Sequence, residues 1–479
     1  MPYRLFLSVS AMVCGMSLPA LAQTTKPLKH GPPNGAGIVF QLTDGTVLTQ
    51  ANNDSDWYKL TPDINGSYQN GTWSKMASFA SNYQPYAFSS AVLADGRLVV
   101  AGGEYNFGQF VLTDICAIYD PVANTWTEFN APPNWNYIGD SPSAVLPNGN
   151  FLLGRKLNKL VAALNPATLT WTAMRHGGKS DFNAEEGWTL LPNGTILTYD
   201  VKNAPNSENY DPVKQVWTSL GSTVSYLRSP PAEGPIKYPG GVYHPPGEVG
   251  PGILRPDGTV FATGSQPTGQ NYGETAIWTP NGKGGGTWAA GPNFPAGDNA
   301  GDSFAVLVPD GNVLVEGANT GNLYEFNGKT LTNTKINGSF GSLMVLPTGE
   351  ILVNGNLLYT EPGTPNPAWA PTISTAPSAV TRGSTYPISG TQFNGLSQAA
   401  AFGDELQTAT NYPLVRITNT ASGHVFYART HDHSTMGVAT GATIVSTNFD
   451  VPSAAETGAS TLVVVANGIP SAPVTVTVQ

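Results

Sequence analysis

One unit occurs seven times between Gly37 and Gly355: an apolar strand, a two-residue turn ending in glycine, and a second apolar strand. It reads "GIVFQLTDGTVLTQ" from Gly37, "SSAVLADGRLVVAGG" from Ser89, "PSAVLPNGNFLLG" from Pro142 and "GWTLLPNGTILTYD" from Gly187. "GPGILRPDGTVFATG" follows from Gly250, "DSFAVLVPDGNVLVEG" from Asp302 and "GSLMVLPTGEILVNG" from Gly341. Asp-Gly and Asn-Gly pairs favour tight hairpins because the turn needs positive φ, which these residues tolerate. One such hairpin cannot bury both of its faces, so repeated hairpins must stack on one another.

A second signature follows several of the hairpins. "YDPVANTWTEF" starts at Tyr119, "LNPATLTWTAM" at Leu164 and "YDPVKQVWTSL" at Tyr210. Each reads as strand, Asx-Pro turn, and a strand opening on Trp126, Trp171 or Trp217. Two hairpins give four strands per unit. The turn glycines, Gly45 to Gly349, are spaced by 51, 53, 45, 64, 53 and 38 residues. A period near this length, with four strands and a late Trp, resembles kelch repeats. The expected fold is therefore all-β, a seven-bladed propeller. The last unit is short, and a strand from the N-terminus is expected to complete it.

The texture changes from about Pro365. "PNPAWAP" reads as a linker, followed by short alternating strands with no repeat, such as "TYPISGTQF", "PLVRITN" and "STLVVVANGIPS". These suit an immunoglobulin-like sandwich of about a hundred residues. The order of parts is then a signal peptide over 1–22, a propeller over 23–364 and an early-set sandwich over 365–479.

A propeller followed by such a sandwich resembles the galactose oxidase architecture. The segment "THDHSTMGVATGATIVSTNFDVPSAAETGASTLVVVANGIPSAPVTVTV", from Thr430, is similar to that family's C-terminal domain over most of its length. The resemblance implies that Thr430-His431 opens a hairpin that threads the propeller axis, with His431 as a copper ligand. The rest of the family's copper-radical ligand set is largely unmatched. Its cysteine-linked tyrosine would need a Cys near the axis, but the only Cys after the leader is Cys116, in the apolar third strand "LTDICAIYD". Ala87 aligns with the radical Tyr, one position from Tyr86. Glu248-Val249 stands where the family has Tyr-His, and Tyr243-His244 lies five residues earlier.

The N-terminus reads as an export signal. Arg4 precedes an apolar run from Leu5 to about Leu18, and Ala20 and Ala22 give a small-residue cleavage pattern before Gln23. The run is short for a membrane span. Export places the protein in the periplasm or outside the cell. Cleavage removes Cys14 and leaves Cys116 alone, so no internal disulfide is expected. Charged residues are 11% of the chain and the net charge is −10. That acidity argues against nucleic acid and anionic membranes as partners. A monomer binding a carbohydrate or another alcohol-bearing small molecule is expected. The chain has no nucleophile elbow, phosphate loop or zinc-type Cys/His spacing.

The candidate site residues come from blade register. Asp140, Glu185-Glu186, Glu248 and Asp302 stand just before the first strands of successive blades. First strands line the channel of a propeller, so these acids should gather at one mouth. There they could serve as general acids, general bases or metal ligands. His431, Glu185 and Glu248 are the candidates for chemistry. Tyr86, Asp140, Glu186, Arg228, Tyr243 and Asp302 are the candidates for substrate contact. His431, His433 and His244 are the candidates for a metal, copper or another divalent cation. His431 and His433 are two apart, so on a strand they share a face. Tyr243-His244 lies in "KYPGGVYHPPGEVG", a long insertion with Lys237 and Tyr238 nearby. Three functions fit: a propeller that binds and acts on a carbohydrate, a non-catalytic carbohydrate- or protein-binding propeller, and a copper oxidase with Tyr86, Tyr243, His244 and His431 as an altered ligand set.

Overall fold

The computed structural model describes residues 23–479 except 53, 232–234, 239–240, 283, 362 and 405–406. The signal-peptide reading therefore lies outside the described residues. Among those described, no helix is long and apolar enough to cross a membrane.

The repeat units form seven antiparallel sheets of four blade strands each, and in blade six a fifth strand, Ala400–Ala401, joins the first. Blade one comprises Val39–Gln41, Val47–Gln50, Trp57–Thr61 and Thr72–Lys75. The first strands of blades two to seven are Ser89–Val92, Ser143–Val145, Thr189–Leu190, Val249–Leu254, Ala305–Leu307 and Leu343–Val345. First strands touch between blades two and three, between successive blades from four to seven, and between blades seven and one, where the two ends of the ring meet. Blade seven takes its outer strand from the N-terminus, Thr24–Pro27, which pairs with Leu357–Thr360. That pairing joins the two ends of the propeller and removes a free sheet edge.

The first two strands of the blades are buried and carry Val, Leu, Ile and Ala on both faces. They pack against neighbouring blades rather than against solvent. The repeat tryptophans join blade to blade. Trp126 packs on Trp57 of the preceding blade at 5.0 Å between ring centroids and donates its indole N–H to the Ala77 carbonyl at 3.1 Å. Trp171 donates to the Asn130 carbonyl at 2.8 Å. Cys116 lies in the third strand of blade two, paired with Phe129 and Ala101 and fully buried. Burial pushes its thiol well above the usual range. We expect it to resist alkylation in the native protein at mildly alkaline pH and to react on unfolding; fast native labelling would contradict this placement.

Strands from Thr372 to Val478 form the sandwich around Val380, Ile388, Val415, Ile417, Phe449, Leu462 and Val476. Its Thr385–Thr391, Val425–His431 and Val445–Asp450 strands pair on one side, and Leu414–Asn419, Gly458–Ala466 and Val474–Val478 on the other. One segment leaves the sandwich and enters the propeller. Ala400–Ala401 pairs with Ala305 and Val306 of a first strand. The Ala399 carbonyl accepts from the Leu307 N–H at 2.6 Å, and the Gln398 side chain accepts from the Leu190 N–H at 2.8 Å. The Tyr412 hydroxyl donates to the Gln41 carbonyl. Ala399, Ala400, Tyr412, Leu414 and Met436 belong to the same core as the blades.

Candidate functional site at the axial mouth

The "THDH" stretch does not occupy the axis, which corrects the resemblance-based reading. It docks on the turns that follow the first strands. The Thr430 N–H donates to the Thr43 carbonyl at 3.1 Å, the His433 N–H to that of Ala94 at 3.0 Å, and the Met436 N–H to that of Pro147 at 3.1 Å. Asp140 precedes the first strand Ser143–Val145 and Pro147 follows it. The histidines and the acids therefore sit at opposite ends of the blades.

His431 is held by two carboxylates of its own domain. Nδ1 lies 2.7 Å from Asp432 Oδ2, and Nε2 lies 3.1 Å from Asp450 Oδ1. Arg429 pairs with the same Asp450 at 3.2 Å. His433 is buried, 2.8 Å from the Thr447 hydroxyl and parallel to the Tyr412 ring. Burial pushes its ring down to about 3, so it is neutral at ordinary pH. His244 is exposed and next to Pro245, in a different part of the molecule. The three candidate metal histidines do not converge.

The axial segment is instead the stretch around Gln398–Asp404, and it brings Asp404 to the acids. A cavity of about 670 Å3 opens at this mouth, lined by Glu104, Asp140, Glu185, Glu248, Asp302 and Asp404. Asp140, Glu185 and Asp404 offer oxygens within 4.8 Å of one another. Lys156, fully buried, pairs with Asp140 and lies 2.6 Å from Glu185. The aromatic lining is Tyr86, Phe88, Phe304, Phe340 and Phe402. Tyr86 and Phe340 are exposed at 52% and 45%.

The local backbone explains how these acids are aimed. Gly139 has φ of 80°, and a Cβ there would lie 3.1 Å from Lys156 Cβ. Its lack of a side chain lets Asp140 and Lys156 meet. Ala87, Glu185 and Asp302 occupy equivalent places before their first strands with φ of 52°, 55° and 49°. Left-handed backbone costs an ordinary residue about 1–2 kcal/mol, and such strain gathers at functional sites. At Glu185 it also divides two neighbouring acids. Glu185 faces the cavity, whereas Glu186 does not line it. Glu186 pairs instead with the buried Lys179 at 2.8 Å, and Lys179 also holds Glu208 at 2.8 Å. Glu186 was expected at the mouth and lies in this separate ion cluster, where burial pushes it up to about 8 against the pull of Lys179.

Burial is the largest influence on Asp140, Glu248, Asp302 and Glu104. It raises Asp140, with Lys156 opposing and Glu104, Glu185 and Asp404 adding repulsion. It raises Glu248, with Glu185, Asp302 and Asp404 adding to the effect. Asp302 is raised by burial, then by Asp404 and Glu185, and Glu104 is raised by burial against Lys156. Asp140 Oδ1 and Glu248 Oε2 are buried with no hydrogen-bond partner among the described residues. Such a cup holds protons more readily than free carboxylates do and can accept hydrogen bonds from a ligand.

The remaining expectations fall around the cup. Arg228 does not line the cavity; it donates to the Pro246 carbonyl at 3.0 Å. Ser229 beside it bonds the Glu248 backbone twice: its N–H donates to the Glu248 carbonyl at 2.9 Å, and its hydroxyl accepts from the Glu248 N–H at 2.8 Å. Arg228 thus belongs to the loop that holds Glu248. The side chains of Tyr243 and Tyr238 lie outside the described residues. Glu104, Lys156, Asp404, Phe340 and Phe402 were missed. Glu104 and Lys156 follow second strands instead of preceding first ones, and Asp404 comes from the non-repeating domain.

The copper-radical ligand set does not assemble. Cys116 is in a third strand, and no His or Cys is among the cavity-lining residues described. The donors are carboxylates beside a lysine, a set for hard cations or protons, not for a copper thioether-tyrosyl centre.

No family model matches the chain, and no curated protein does. Among solved structures, the chain is similar to a fungal alcohol oxidase of the AA5 family solved in complex with copper. The identity is 14%, the TM-score 0.50, and the match covers 95% of this chain and 98% of that one. A streptogramin B lyase matches 72% of this chain and 99% of its own at 10% identity and a TM-score of 0.46. YjhT matches 66% of this chain and 100% of its own at 16% identity and a TM-score of 0.38. The first likeness is one of fold: a β-propeller with a β-sandwich, shared with an alcohol oxidase of the galactose oxidase family.

Proposed function

We propose that the protein is exported and binds a carbohydrate at the axial mouth, where the acid cup gives or takes protons at bound hydroxyls. The observation that carries this reading is the cavity of about 670 Å3, walled by acids and edged by the exposed rings of Tyr86 and Phe340. Sugar rings offer apolar C–H faces for aromatic side chains and O–H donors for carboxylates. Cavities of about 300–1,000 Å3 with a few convergent polar groups are the usual form of small-molecule sites. A raised carboxyl that keeps its proton near neutral pH suits a general acid, and an ionised neighbour suits a general base. The catalytic role drawn for His431 is withdrawn, because its ring is at the other end of the blades.

A purely binding role is the second reading. It is favoured by Lys156, which ties down Asp140 and Glu185 as an ion-paired support. Incubation with an oligosaccharide panel, followed by chromatography of the products, separates the two readings. Tyr86→Ala is expected to weaken binding about tenfold, the equivalent of losing about 1.4 kcal/mol of apolar contact. Calorimetric titration measures this. No heat with any neutral, acidic or basic oligosaccharide would contradict the proposal.

A further inference from the structure

We infer that the ligand of the axial cup carries a positive charge, as a sugar with a free amino group does. This rests on the carbohydrate reading and narrows it. The cavity wall holds six carboxyl groups, and no Lys, Arg or His is among its described lining residues. The described cation at the cup is Lys156, fully buried and already engaged with Asp140 and Glu185. Asp140 is only 3% exposed, yet its Oδ1 has no hydrogen-bond partner among the described residues. Six carboxyl groups offer more acceptors than donors even when some keep their protons, so a ligand that fills this wall must be rich in donors. A neutral hydroxyl brings one donor and no charge. An ammonium brings three donors and the counter-charge that crowded, buried carboxylates lack. The exposed Tyr86 and Phe340 rings add faces that attract cations as well as C–H groups.

An ammonium entering the cup favours the ionised acids around it. Protons held by Asp140, Glu248, Asp302 and Glu104 should then be released as it binds.

The test is calorimetric titration of the full chain with the disaccharide of glucosamine, with its N-acetylated form and with cellobiose. These share a scaffold and differ at the C2 substituent of each ring, which is charged only in the free amine. We expect the free amine to bind at least tenfold more tightly than the other two. It should release protons when the titration is repeated in buffers of different ionisation enthalpy, and it should lose affinity as salt rises. The double variant Glu248→Gln/Asp302→Asn should remove most of the preference while keeping some affinity for cellobiose. Equal affinity for the three sugars would overturn the charge inference and leave the carbohydrate reading standing. Binding of none would overturn both. A preference unchanged in the double variant would place the ammonium elsewhere and overturn the assignment to this cup.

Discussion

A chain ending at Thr364 is expected to lose its cooperative fold, although every blade strand is still present. The propeller alone would lack the segment that fills its axis. Tyr412, Leu414 and Met436 are buried in the same core as the blades. Large buried side chains contribute about 1.5–3 kcal/mol each. Losing these three and the pairing of Ala400–Ala401 with Ala305 and Val306 should remove on the order of 5–10 kcal/mol, which is about the whole stability of a typical domain. Because Tyr412, Leu414 and Met436 share the core of the blades, the propeller is not expected to stand alone. Urea unfolding followed by tryptophan fluorescence measures the effect. A single transition within about 0.5 M of the full chain's midpoint would contradict it.

Lys156→Met should destabilise the protein by about 3–5 kcal/mol at neutral pH, because it leaves Asp140 and Glu185 buried without their cation. The loss should shrink as pH falls. Asp140, Glu248 and Asp302 have folded pKa values raised above the ordinary carboxylate range. Between about pH 4 and those raised values the folded state binds more protons than the unfolded state, so stability falls as pH rises through that window. Without Lys156 the acids rise further and the slope steepens. Unfolding of both proteins at about pH 4 and about pH 7 gives the comparison. A loss independent of pH would mean that Lys156 acts through packing and not through charge.

The blades were legible in the residues alone. The Asp-Gly and Asn-Gly turns are local signals, and their glycines from Gly45 to Gly349 take the positive φ that such turns require. Seven sheets and the N-terminal strand of the last one follow from that repeat. Register also brought Asp140, Glu185, Glu248 and Asp302 to one cavity. Glu186 shared the register but not the direction, because the left-handed backbone of Glu185 turns the two neighbours apart. Lys156 and Asp404 carried no periodic signal: one follows a second strand, and the other belongs to a domain whose placement is set by tertiary packing. "THDH" stood out because histidines are scarce here, yet scarcity says nothing about which end of a blade a loop will meet. Its hydrogen bonds to Thr43 and Ala94 decide that.

Ligand binding should belong to the cup around Asp404 and not to His431. The decisive measurement is calorimetric titration of the glucosamine disaccharide into the wild type, His431→Ala and Asp404→Asn, with circular dichroism to establish that all three are folded. The prediction is unchanged affinity in His431→Ala and at least about a tenfold loss in Asp404→Asn, the equivalent of about 1.4 kcal/mol or more. Unchanged affinity in Asp404→Asn together with loss in His431→Ala would contradict the claim and move the site to the sandwich end of the propeller.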